Sequence, residues 1–95
     1  MDITKMLTIS TGHIKESTYK LLENFDNNLF DFPAFWPKED YGWFIYVGNI
    51  LPIESYCDTP DDLKDCMRKA WENDCEWLCL DCDAMVYEGL PTYDW

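Results

Sequence analysis

Trp43-Phe44-Ile45-Tyr46-Val47 decides how this chain folds. Every position is aromatic or β-branched, the composition that packs best on a pleated surface. With no polar position left to face water, the run reads as a central strand covered on both faces. Upstream, Lys38-Glu39-Asp40-Tyr41-Gly42 reads as a turn into it. Phe32-Pro33-Ala34-Phe35-Trp36-Pro37 before that turn reads as extended, because each proline biases its predecessor toward β or polyproline II geometry.

Further upstream, Tyr19, Leu21, Leu22 and Phe25 recur at helical spacing between Glu16 and Phe25, with Ile14 as a staple and Asp26-Asn27-Asn28 as the stop. Met6 to Ser10 is a short strand, and Thr11-Gly12-His13 a turn after it. Downstream of the central run, Gly48 to Cys57 is a connector without a period. A second helix then starts with Thr59 as N-cap, Pro60 in the first turn, and Asp61 and Asp62 behind it. Leu63, Cys66, Met67, Ala70 and Trp71 form one apolar stripe, and Asn73-Asp74 closes the helix. Glu76 to Asp81 is the last strand, and the tail Glu88 to Trp95 is irregular but packs down through Leu90, Tyr93 and Trp95.

The order is β-α-β-β-α-β, an α+β fold of ferredoxin-like order: one domain over 1–95, with a small single-layer sheet of three or four strands and two helices. Without the proline-flanked second strand it reduces to βαβαβ.

The chain has 95 residues, 47% hydrophobic and 17% aromatic, which is a folded composition rather than a disordered one. No apolar run of membrane length and no basic-then-apolar opening occurs, so the expected setting is soluble and cytoplasmic. The cysteines are Cys57, Cys66, Cys75, Cys79 and Cys82. An odd number without a secretion signal argues against a disulfide framework. Cys79 and Cys82 make one C-x-x-C, whereas a zinc ribbon needs two, and a strand sends these two to opposite faces. They read as free thiols, with no metal and no cofactor expected.

Charge is the least ordinary property. There are 19 acidic and 7 basic residues, a net charge of −12. Residues 1–53 hold 7 acids and 4 bases, and residues 54–95 hold 12 acids and 3 bases. Solubility needs a magnitude of only about 2–8. Asp58, Asp61, Asp62, Asp65, Glu72, Asp74 and Glu76 spread carboxylates over about 20–25 Å if the helix is regular. Such a face imitates a run of phosphates, and its partner would be the basic surface of a nucleic-acid-binding protein, with Trp36 and Tyr41 as aromatic anchors. The same charge repels free nucleic acid and anionic membranes. The plainer reading is a solvated helix face.

Chemistry has few candidates. His13 is the only histidine, near Ser10, Thr11 and Ser17. Asp81 and Asp83 form a D-x-D that suits a divalent cation, yet no phosphate-binding glycine loop accompanies them. A small ligand- or metal-dependent enzyme built on His13 with Asp81 or Asp83 is therefore the second reading. A homodimer held by exposed aromatics is the third.

Leu7-Thr8-Ile9-Ser10-Thr11-Gly12-His13-Ile14, Glu39 to Val47 (EDYGWFIYV), Glu76 to Asp81 (EWLCLD) and Leu90-Pro91-Thr92-Tyr93-Asp94-Trp95 together resemble a family of small acidic proteins of unknown function from plasmids, prophages and other mobile elements. The resemblance supplies no catalytic residues. It includes Asp81 in the pattern and leaves Cys75, Cys79 and Cys82 particular to this chain. It implies a mobile-element setting, in which small acidic proteins act as non-enzymatic inhibitors of host defence proteins, of the anti-restriction or anti-CRISPR type.

Overall fold

A computed structural model gives the architecture and describes residues 4–24, 33–39, 41–48 and 59–93. Among these, the elements are β1 (Met6–Ser10), a 3-10 turn (Thr11–His13), α1 (Glu16–Glu23), β2 (Phe35–Lys38), β3 (Gly42–Tyr46), α2 (Asp61–Glu72) and β4 (Trp77–Asp81). This is the expected α+β chain order, with the four-strand alternative realised. Phe25, Asp26-Asn27-Asn28, Phe32, Asp40, Asn49 to Asp58, and Asp94-Trp95 lie outside the described residues.

The sheet runs β1-β4-β3-β2. β4 pairs parallel to β1 and antiparallel to β3, and β2 pairs antiparallel to β3. The sheet is thus mixed, and the last strand in sequence sits inside it. β2 tolerates Pro37 because it is an edge strand, where a missing N–H leaves no ladder bond unmade. Gly42 is required by close approach: its φ is +155°, and a Cβ there would fall 1.7 Å from the Leu80 carbonyl oxygen.

Side chains alternate across a strand, and both helices are on one side. Ile9, Trp43, Ile45, Leu78 and Leu80 point to that side and are buried with Leu63, Cys66, Met67 and Ala70 of α2 and Leu22 of α1. Tyr19 meets Trp43 edge to face, with ring centroids 4.4 Å apart. The central run therefore is central in the sheet, but among the described residues the helices cover only one of its faces. Tyr46 is exposed and Phe44 half-buried on the other, so the expectation of two covered faces is corrected.

One boundary of α2 and the burial of one residue at its end differ from the sequence reading. Pro60, not Thr59, stands at the N-cap, one residue later than predicted, and proline offers no capping hydrogen bond of its own. At the other end, Cys75 N–H bonds the Ala70 carbonyl at 2.8 Å and Asp74 N–H the Trp71 carbonyl at 3.0 Å. With Asp74 at φ +58°, this is a Schellman ending with an aspartate in the left-handed position that usually takes glycine. Trp71, placed on the buried stripe by spacing, is 54% exposed because the helix ends beside it.

Candidate functional site

The acidic residues do not form one even row. Asp62 is buried and leaves the face. Its carboxylate accepts the Lys15 N–H at 2.7 Å and the Thr18 hydroxyl at 2.9 Å, satisfying the start of α1. Asp65 pairs with Arg68 at 2.9 Å and Glu72 with Lys69 at 3.4 Å, both exposed pairs that partly cancel their charge. Asp61, Asp74 and Glu76 are exposed and make no side-chain ion pair among the described residues. Asp58 lies outside the described residues.

What the fold does bring together is the end of α2 and the start of β4. Gly48, Trp71, Glu72, Asp74, Cys75 and Glu76 line a cavity of about 380 Å³. Three of its six lining residues are carboxylates, and an exposed indole stands beside them. Such a site suits a cationic side chain, through opposite charge and through the ring.

Strand alternation turns Trp77, the residue after Glu76, to the sheet face opposite the helices. Strand register arranges that face in rows. Met6, Trp77 and Tyr46 form the first, Thr8, Cys79, Phe44 and Trp36 the second, and Ser10, Asp81, Gly42 and Lys38 the third. Trp77 lies 5.5 Å from Trp36 and 5.1 Å from Tyr46 between centroids, at 45° and 68°. Trp36 is 51% exposed, so it is available as the anchor that the sequence suggests, whereas Tyr41 is exposed away from this cluster, at the β2–β3 turn. Sequence reasoning placed Tyr46 in an aromatic cluster that is mostly core, and did not single out Trp77 or Trp71. The period-2 alternation held the signal for Tyr46 and Trp77, hidden because both parities of the strands are apolar.

The third row is closed chemically. Lys38 pairs with Asp81 at 2.7 Å and lies 3.7 Å from the Cys79 sulfur. The hydrogen bond to Lys38, with the Asp83 N–H as second donor, holds the Asp81 carboxyl below its usual range, and the same bond raises Lys38. Burial pushes the Cys79 thiol up, against the pull of Lys38. Ligand atoms of Asp81, Cys82 and Asp83 lie within 4.8 Å of one another. One Asp81 oxygen already accepts from Lys38 and the other from the Asp83 N–H.

His13 is 2% exposed and its ring is fully engaged by the tail. Nδ1 donates to the Pro91 carbonyl at 2.8 Å, and Nε2 accepts the Tyr87 N–H at 2.7 Å, which assigns the tautomer. Tyr93 N–H bonds the Gly12 carbonyl, and Ser10 N–H the Met85 carbonyl. Thus Leu7 to Ile14 and the stretch from Leu90 are two halves of one joint. In this arrangement neither His13 nitrogen is free to take a substrate proton.

Of the cysteines, Cys66, Cys75 and Cys79 are buried and free, and Cys82 is free and exposed. Burial, with Asp62 and Asp65 nearby, pushes the Cys66 thiol up to about 12. No helix among the described residues is long and apolar enough to cross a membrane.

No curated protein and no solved structure matches the chain. A family model does match: the C-terminal domain of DUF5983, a family of unknown function, aligns with residues 6–95. That alignment begins at the first residue of β1 and includes every strand, both helices and the tail joint, and the chain therefore belongs to the DUF5983 family.

Proposed function

We propose that this chain is a non-enzymatic binding protein that docks on a basic surface of a nucleic-acid-binding protein and excludes nucleic acid from it. A host defence protein is the target that the resemblance to mobile-element proteins suggests. The observation that carries the reading is Asp74. A left-handed position at a helix end is cheapest for glycine. Here it holds a carboxylate instead, beside Glu72, Glu76 and Trp71 around one cavity. Strain kept together with charge is what a working surface looks like, whereas a merely solubilising charge needs no such position. The mimicry is concentrated at the end of α2 rather than spread along it, since Asp62 is buried and Asp65 is paired.

The test is capture from a bacterial lysate by the tagged chain, at low and at moderate salt, beside the Asp74→Asn/Glu76→Gln variant. The expected result is a nucleic-acid-binding protein held by the wild type at low salt, lost as screening increases, lost in the variant, and released by added duplex DNA. Capture indifferent to salt and to the variant would overturn the proposal.

A further inference from the structure

The acidic cavity explains attraction but not choice, since a carboxylate cluster accepts lysine and arginine alike. The sheet face opposite the helices is different. Trp77 stands at an angle to both Trp36 and Tyr46, and Met6, Trp36, Phe44 and Trp77 line an apolar groove of about 240 Å³. We infer that this corner of rings receives arginine side chains of the basic partner, and so selects arginine-rich over lysine-rich surfaces. The inference rests on the function proposed above.

Three observations support it. First, the net charge of −12 draws cations to the surface of this chain. Second, the face already holds one cation against a ring: the Lys38 ammonium lies 5.6 Å from the Phe44 centroid. Third, guanidinium is planar and weakly hydrated, so it stacks on aromatic rings where a compact, strongly hydrated ammonium gains less. Trp36 and Tyr46 are exposed enough to offer their rings.

Two other occupants fit worse. A second copy would bring −12 against −12. Single-stranded nucleic acid also stacks on sheet aromatics, but it needs a positive groove for its backbone. Among the described residues the lysine of this face, Lys38, is held by Asp81, and the chain as a whole carries −12.

The experiment titrates the whole chain with labelled oligoarginine and oligolysine peptides of equal length and charge, at low salt. Oligoarginine is expected to bind more tightly by about two- to fivefold per stacked arginine, and to shift the indole N–H resonances of Trp36 and Trp77. In the Trp36→Ala/Tyr46→Ala variant the preference disappears while the oligolysine affinity stays. Equal affinities in the wild type, with unmoved indole resonances, overturn this inference and leave the acidic reading standing. Failure of both peptides to bind overturns both. Tighter binding of a single-stranded oligonucleotide, or a dimer in light scattering that the double variant abolishes, overturns it in favour of those occupants.

Discussion

The Asp62 carboxylate in the first turn of α2 accepts the Thr18 hydroxyl of α1 at 2.9 Å, across 44 residues of sequence. Its other oxygen takes the Lys15 N–H where α1 begins. One buried acid thus serves as the N-terminal cap of a helix whose own cap residue, Lys15, offers no side-chain bond. Asp62→Ala leaves a hydroxyl and an amide without partners, and each such loss costs about 1–3 kcal/mol. The expected result in urea denaturation is a lower midpoint at unchanged slope. Asp62→Asn keeps one acceptor and loses less. Peptide binding stays at the wild-type level in the Asn variant, because Asp62 is not on the docking surface.

His13 gives a graded prediction. Gln in its place offers an acceptor near the Nε2 position and retains the Tyr87 bond, and Asn offers a donor near Nδ1 and retains the Pro91 bond. Each replacement loses one bond, about 1 kcal/mol, and His13→Ala loses both. Hydrogen exchange checks it directly. The Tyr87 amide exchanges faster in the Ala and Asn variants and stays protected in the Gln variant.

The Lys38–Asp81 pair sets the pH response of the uncovered face. Asp81 is held below its ordinary 3.8 by Lys38 first and the Asp83 N–H second. A lowered carboxyl stabilises the fold above its unfolded value, and that contribution disappears as pH falls through the lowered one. Lys38 is held above its ordinary 10.5, mainly by Asp81. Its contribution is complete below that value and is lost as pH rises through the raised one. The pair is therefore intact between 3.8 and 10.5. The stability difference between wild type and Asp81→Asn should stay level across that window and shrink beyond both ends, as followed by thermal melts. A difference that changes around neutral pH would refute it.

Much of the fold was legible because its signals are local. The α2 stripe Leu63, Cys66, Met67 and Ala70 is fully buried as its spacing requires, and Asn73-Asp74 ends the helix as expected. The site was less legible, for a physical reason. Phe44, Tyr46 and Trp77 look like core residues to any pattern of hydrophobicity, and only the register with Ile45 and Leu78 shows which parity faces the helices. Asp62 failed in the opposite direction. An aspartate in a first helical turn is ordinary on its own chain, and its bond to Thr18 depends on a tertiary contact that no local pattern encodes.

Asp74 separates stability from function most sharply. Asp74→Gly relieves a left-handed residue at the helix end while keeping the Schellman bonds of Cys75 and of residue 74 itself. The gain is about 0.5–1 kcal/mol, the left-handed penalty less the added freedom of glycine in the unfolded chain. The same change removes one of the carboxylates around the cavity. We expect the Asp74→Gly variant to melt higher and to bind oligolysine more weakly at low salt, with the deficit closing as salt rises. Asp74→Asn isolates the charge, because asparagine also accepts the left-handed conformation. It should weaken binding to the same extent with little change in melting. A more stable Asp74→Gly variant with undiminished binding would mean that the carboxylate at this position does not contribute to docking.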